Sequence, residues 1–292
     1  MRSMPFKQVD VFTSVRFKGN PVAVVLQAEG LTGAQMQQIA NWTNLSETTF
    51  VLPASDPGAD YQVRIFTPHD ELPFAGHPTI GTAHALLEAG LIVARDGELV
   101  QQCIAGLVRL QVLRDAGGAQ WISFDLPEPR ISPLSASQAL ALESLLGASL
   151  KRDMQPQLVD VGPRWVVAQL ESAEAVLALA PDLQRMKIQD VSNRYTGVAV
   201  FGQHERGQPA GIEVRAFAPA HGISEDPVCG SGNGCVAAFI RHTGQTGTFG
   251  TEFLAAQGAA VGRAGVLRLS IGDGRIRVGG NAVTCIDGQL AA

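Results

Sequence analysis

Val63-Arg64-Ile65-Phe66-Thr67-Pro68, followed by Glu71-Leu72-Pro73-Phe74-Ala75-Gly76, returns later in the chain as Val214-Arg215-Ala216-Phe217-Ala218-Pro219, followed by Glu225-Asp226-Pro227-Val228-Cys229-Gly230. The Val-Arg-x-Phe-x-Pro blocks lie 151 residues apart and the Glu-x-Pro-x-x-Gly blocks 154, so the second copy carries three extra residues between its blocks. Upstream, Val9-Asp10-Val11 matches Val159-Asp160-Val161, and Asn44-Leu45-Ser46-Glu47 aligns with Asn193-Arg194-Tyr195-Thr196. Four matches in the same order at nearly one offset describe a duplicated domain, because a repeat this long exceeds any solenoid unit. Two similar halves, residues 1–128 and 129–292, are therefore expected to face each other across a cleft.

Strand patterns outnumber helix patterns and come in hairpin-sized pieces. Leu267, Leu269 and Ile271 alternate with Arg268 and Ser270; Asp273-Gly274 supplies a turn, and Ile276 and Val278 alternate with Arg275 and Arg277. That pattern is an antiparallel hairpin with one wet face. Val108–Leu113 and Trp121–Leu126 read the same way around Gly117-Gly118, and Val22–Leu26 and Phe50–Leu52 read as buried strands. Surface helices are expected over Thr32–Trp42, Ser137–Leu146 and Ser172–Leu179, each opened by a Ser or Thr cap. Two further helices, Pro78–Glu88 and Asn233–His242, follow the two glycine turns and are small or apolar around their whole circumference, which marks them as buried. Each half thus reads as α+β, a mostly antiparallel sheet or barrel wrapped around a central helix. The proline-rich run from Asp125 to Pro133 is the expected linker.

Composition narrows the function classes. With 22 Lys plus Arg against 27 Asp plus Glu, the net charge is -5 and no basic run occurs, which argues against a nucleic-acid partner. No apolar run approaches the roughly 18 residues of a membrane span, and the first residues show no secretory h-region. A cytoplasmic protein is expected. Cys103, Cys229, Cys235 and Cys285 form no Cys-x-x-Cys pair and have no metal-spaced histidines beside them, so neither disulfides nor a structural metal is expected.

The chemistry is expected where the two buried helices begin. The first N–H groups of a helix have no internal partner and its N-terminus is electropositive, so such a turn suits an anion. Gly76, Gly230 and Gly232 would let a ligand approach the backbone, although tight strand-to-helix packing would also call for glycine. A nucleotide fits worse, since the third glycine of a dinucleotide fingerprint and the Lys-Ser/Thr of a P-loop do not occur here.

The stretches Asn44-Leu45-Ser46-Glu47-Thr48-Thr49-Phe50, Phe74-Ala75-Gly76-His77-Pro78-Thr79 and Glu225-Asp226-Pro227-Val228-Cys229-Gly230-Ser231, with the opening Val9-Asp10-Val11-Phe12 and Gly19-Asn20-Pro21, resemble the phenazine biosynthesis PhzF-like family. The resemblance covers nearly the whole chain. It implies the diaminopimelate epimerase-like fold and an isomerase needing no cofactor, often a homodimer, that acts on a small cyclic amino acid. The family's best-known reaction moves a proton within the ring of trans-2,3-dihydro-3-hydroxyanthranilate. Carried over residue by residue, the resemblance implies Glu47 as general acid/base and Gly76, His77, Asp226, Gly230 and Ser231 as the substrate-binding residues.

Glu47 has its own physical case. The alignment puts Thr196 opposite it, so a proton-transfer group stands in one half only, and a carboxyl at the end of a short apolar strand would be desolvated toward a neutral pKa. Cys229 departs from the family pattern, in which threonine or a small residue is expected before Gly-Ser. Related epimerases place a thiol here in each half, but the counterpart in this chain is Ala75, which excludes a symmetric two-thiol epimerase. A helix start should lower the Cys229 thiol pKa, leaving an epimerase that pairs Cys229 with Glu47 as the second reading and a non-catalytic binding relative as the third.

Overall fold

The computed structural model describes residues 3–115, 117–272 and 274–292. The chain divides into two compact units, Met1–Asp125 with Gly279–Ala292, and Leu126–Val278. The first unit runs β1 (Ser3–Val11), β2 (Asn20–Val25), α1 (Gly33–Thr43), β3 (Thr48–Leu52), β4 (Tyr61–Phe66), β5 (Glu71–Leu72), α2 (Gly76–Glu88), β6 (Glu98–Cys103), β7 (Gly106–Arg114) and β8 (Gln120–Asp125). The chain continues through β9 (Arg130–Pro133), α3 (Ala136–Leu146), β10 (Gln157–Asp160), β11 (Arg164–Gln169), α4 (Ala173–Leu177), α5 (Leu183–Asn193), β12 (Gly197–Gln203), β13 (Ile212–Ala218), β14 (Ile223–Asp226), α6 (Gly230–His242), α7 (Thr246–Phe249), β15 (Glu252–Gln257), β16 (Gly265–Ile271) and β17 (Ile276–Gly280). The last strand, β18 (Ala282–Ala291), belongs to the first unit.

The duplication is visible in the ladders. In the first unit β1 pairs antiparallel with β18 and β2, β2 parallel with β3, β3 antiparallel with β4, and β4 antiparallel with β5 and parallel with β6. In the second, β10 pairs antiparallel with β9 and β11, β11 parallel with β12, β12 antiparallel with β13, and β13 antiparallel with β14 and parallel with β15. Each of these pairings in one unit has its counterpart in the other.

Each sheet wraps a buried helix. In α2, His77 through Ala83, Ala85 and Leu86 are buried, and the helix packs on β1, β2, β3, β8 and β18. In α6, Gly230 and Gly232 through Ile240 are buried against β10, β11, β12 and β16. Small residues all round bring the strands close on every side, which an amphipathic helix would not allow. The fold expected from the sequence is thus the one observed.

Element boundaries differ in instructive ways. The two central helices start two and three residues earlier than their apolar patterns suggest, because Gly76, His77, Gly230, Ser231 and Gly232 form the first turns. The cap of α3 is Ser135, whose hydroxyl accepts from the Gln138 N–H while the Gln138 side chain accepts from the Ser135 N–H, a capping box. Within the expected linker, β9 already pairs with β10. Helix α5 is not among the sequence-expected helices, since its fully buried face consists of only Met186 and Asp190. The β16 and β17 flanks of the C-terminal hairpin alternate buried and wetter positions as expected, and Asp273 of its turn lies outside the described residues.

The ladders also move one pseudo-symmetric assignment. Thr48 pairs with Phe66 and Val51 with Val63, while Val198 pairs with Phe217 and Phe201 with Val214, which makes Thr48 the counterpart of Val198. The helices before these strands end on left-handed residues at the same offset, Asn44 with φ 53° and Arg194 with φ 56°. The counterpart of Glu47 is therefore Gly197 and not Thr196. Linear matching misplaced it because Asn44 and Asn193 are identical without being equivalent.

Candidate active site

The repeated blocks clamp each sheet to the entrance of its central helix. The Arg64 guanidinium donates to both carboxylate oxygens of Glu71, each at 2.6 Å, and lies 5.0 Å from the Phe66 ring centroid. Arg215 does the same to Glu225, at 3.0 and 2.7 Å, over Phe217 at 5.0 Å. A planar guanidinium is suited to both contacts at once. The Val-Arg-x-Phe and Glu-x-Pro blocks are thus the two halves of one clamp, made twice, and each clamp fixes where the following glycine turn begins.

In the first unit the turn brings His77 to Glu47. Glu47 immediately precedes β3, and its Oε2 lies 3.2 Å from His77 Nε2, with side-chain exposures of 14% and 7%. His77 is bonded to the backbone of Pro21. Proline offers only a carbonyl, so the imidazole donates this bond, and Nδ1 is the donor because Nε2 has no hydrogen-bond partner. Burial pushes the His77 pKa down to about 3, so the ring is neutral and Nε2 presents a lone pair to the carboxyl. Behind the turn, Gln101 Nε2 donates to Thr79 Oγ1 at 2.9 Å while Gln101 Oε1 accepts from the Tyr61 hydroxyl at 3.1 Å, anchoring the first turn of α2 to β6. At Gly76 a Cβ would stand 2.6 Å from Phe124 Cζ, so this glycine is required by packing.

In the second unit the turn gathers Asp226, Cys229, Gly230 and Ser231. Asp226 Oδ1 accepts from the Val228 N–H at 3.0 Å, and burial raises its pKa to about 6. The N-cap of α6 is Cys229, whose Sγ accepts from the Gly232 N–H at 3.3 Å; its counterpart Ala75 makes no side-chain cap. Ser231 Oγ accepts from Trp165 Nε1 at 3.0 Å. Gln257, at the end of β15, accepts from the Cys229 N–H at 3.0 Å and from Asn233 Nδ2 at 2.7 Å, and donates to the Asp226 carbonyl at 2.8 Å. Gln257 thus ties the whole turn to the sheet. Sequence reasoning singled out neither Trp165 nor Gln257, since both reach the turn from strands remote in the chain.

One expectation is corrected here. The Cys229 thiol is raised well above its usual pKa, first by burial and then by the nearby Asp226, which outweigh the Gly232 N–H. A helix start lowers a thiol pKa and burial in apolar surroundings raises it, and at Cys229 burial is the larger effect. Cys229 is a protonated capping residue.

Among the described residues, no group of three or more His, Cys, Asp or Glu side chains could hold a metal ion, and no helix is long and apolar enough to cross a membrane.

Residues 9–288 match the family model described as phenazine biosynthesis-like protein. The chain is 42% identical to antisense-enhancing sequence 1 of Schizosaccharomyces pombe, over 99% of both chains. It is 36% identical to the trans-2,3-dihydro-3-hydroxyanthranilate isomerase of Pseudomonas fluorescens, over 94% of this chain and 95% of the relative. A solved PhzF-family structure from Bacillus anthracis superposes with a TM-score of 0.88 at 24% identity, covering 100% of both chains.

Proposed function

The chain belongs to the phenazine biosynthesis-like (PhzF) family and is an isomerase, and from that premise we propose that it moves a proton, and with it a double bond, in a small carboxylate-bearing, cyclic amino-acid substrate similar to trans-2,3-dihydro-3-hydroxyanthranilate. The observation that carries this reading is the pairing of Glu47 with a neutral histidine. The one ring N–H of neutral His77 is committed to the Pro21 backbone, and a pKa of about 3 leaves no second ring proton near neutral pH, so the imidazole has none to give. Glu47 is then the proton carrier of the pair. As carboxylate it takes a proton from a substrate carbon, the electron pair moves into a new double bond, and the far carbon of the old double bond receives the proton back. Atoms and charge balance without an external reagent. In the acid form, Glu47 has an acceptor ready in His77 Nε2 at 3.2 Å. Because Gly197 stands opposite Glu47, the second unit has no equivalent group, which favours a one-carboxyl proton shift over a two-base epimerisation. Asp226, Ser231 and the N–H groups that follow Gly76 and Gly230 are the proposed substrate contacts.

The test is turnover of trans-2,3-dihydro-3-hydroxyanthranilate together with exchange of substrate carbon-bound hydrogen in heavy water. Glu47→Gln should keep the fold and substrate binding while losing at least about 100-fold in both rates, the usual worth of a general acid/base. A Gln variant that works at near-native rate would remove Glu47 from the mechanism.

A further inference from the structure

The two units fill corresponding places with different chemistry. His77 follows Gly76 as Ser231 follows Gly230, and Glu47 corresponds to Gly197. In the second unit a Cβ at Gly197 would lie 2.0 Å from the Phe217 carbonyl oxygen and 3.0 Å from Trp165 Cζ3. The indole of Trp165 therefore occupies space beside the position from which, in the first unit, the Glu47 side chain departs, and it bonds to the residue that corresponds to His77. A carboxyl–imidazole pair in one unit is matched by an indole–hydroxyl pair in the other.

We propose that Trp165 is a positioning residue that fixes the Ser231 hydroxyl as a hydrogen-bond donor to a carboxylate oxygen of the ligand. This deepens the reading of the second turn as a substrate contact and rests on it. An indole N–H can only donate, so at 3.0 Å it occupies one lone pair of Ser231 Oγ and turns the hydroxyl proton away from itself. The other neighbour within reach is the Cys229 sulfur at 3.6 Å, a weak partner held as thiol, which a carboxylate oxygen would displace. Neither indole nor hydroxyl titrates near neutral pH. Ser231 then offers a donor at the electropositive start of α6, complementary to a carboxylate and not to an ammonium group. Trp165 can hold this geometry because it is 2% exposed and lies on β11, opposite Gly197 in the parallel ladder.

The experiment measures binding of anthranilate, which carries the carboxylate but cannot undergo the proton shift, by calorimetry on the full chain. Wild type, Trp165→Phe, Ser231→Ala and the double variant are compared, with aniline as the probe lacking a carboxylate. Each single change should weaken anthranilate binding by about ten- to hundredfold, the worth of one oriented hydrogen bond to a charged group. The double variant should be no weaker than Ser231→Ala alone, because Trp165 acts through the hydroxyl. In nitrogen-15 spectra the Trp165 indole N–H resonance should move in Ser231→Ala, a readout that does not require the tryptophan variant to fold. Losses that multiply, an unchanged indole resonance, equal effects on aniline, or a wild type that does not bind anthranilate would each overturn the proposal. Binding needs no turnover, so a chain that passes these tests without isomerising any substrate would lose the proposed reaction and keep this assignment.

Discussion

A thiol at the start of a helix and a carboxyl inside one behave here in ways that only their surroundings explain. Cys229 is held protonated by burial beside Asp226, and its sulfur caps α6. A serine oxygen can accept the same Gly232 N–H, so Cys229→Ser should lower activity less than about tenfold, measured as kcat/KM; loss by a factor of 1,000 in a folded variant would restore the thiol as an acid/base. Asp190 is a buried carboxyl on α5 with both oxygens unpartnered, and desolvation raises its pKa to about 7. The sign follows from the raised folded-state value. Stability is fully present below the unfolded aspartate value of about 3.9, declines as pH rises toward 7, and levels off above it. Asp190→Asn should therefore raise stability at pH 8 by about 2–4 kcal/mol and by less at pH 5, read from denaturant midpoints at the two pH values. A gain equal at both pH values would show that Asp190 does not titrate with folding. Glu47 and His77 were legible in the sequence from their motifs, whereas the tautomer of His77 depends on the Pro21 carbonyl, which folding brings to it.

At the scale of elements, the same Arg–Glu clamp is made twice in different surroundings. The side chains of Arg215 and Glu225 are 7% and 9% exposed, and Arg215 also donates to the Val176 and Leu179 carbonyls at the end of α4; those of Arg64 and Glu71 are 29% and 23% exposed. Removing one partner of a buried pair strands the other charge, at a cost of about 3–5 kcal/mol, whereas a partly solvated pair can rehydrate for about 1 kcal/mol. Glu225→Ala should thus destabilise far more than Glu71→Ala, measured by urea unfolding, and equal losses would refute the burial argument. The repeat disclosed that both clamps exist, because the Arg and Glu blocks recur together. Their unequal worth was not legible, since the carbonyls that surround Arg215 come from α4, an element with no counterpart in the first unit.

On the scale of the whole molecule, chain order and unit membership part at the C-terminus. Strand β18 lies along β1 from Ser3↔Ala291 to Val11↔Ala282, and Lys7 is held by Glu88 of α2 at 2.9 Å and Asp287 of β18 at 2.7 Å. A chain ending at Val278 removes a strand from the first unit and none of the residues of the second. Hydrogen exchange on that truncation should show protection lost across β1 and α2 and retained in α6 and β12. Uniform loss throughout would mean that the units do not hold their structure separately.

The sequence by itself determined that the fold is built twice around two apolar helices that follow glycine turns, because helix periodicity, strand alternation and the Arg and Glu blocks are all local and all repeat. It also singled out the two glycine turns and Glu47, the residues on which the proposed reaction rests. Tertiary structure decided what those residues are. Ladder register placed Gly197 opposite Glu47, burial set His77 neutral against the pull of the Pro21 carbonyl, burial kept the Cys229 thiol protonated, and Trp165 and Gln257 reached the second turn from strands far along the chain. Protonation state and hydrogen-bond direction depend on neighbours and on exclusion of water, and the chain acquires both only when its strands and helices have packed.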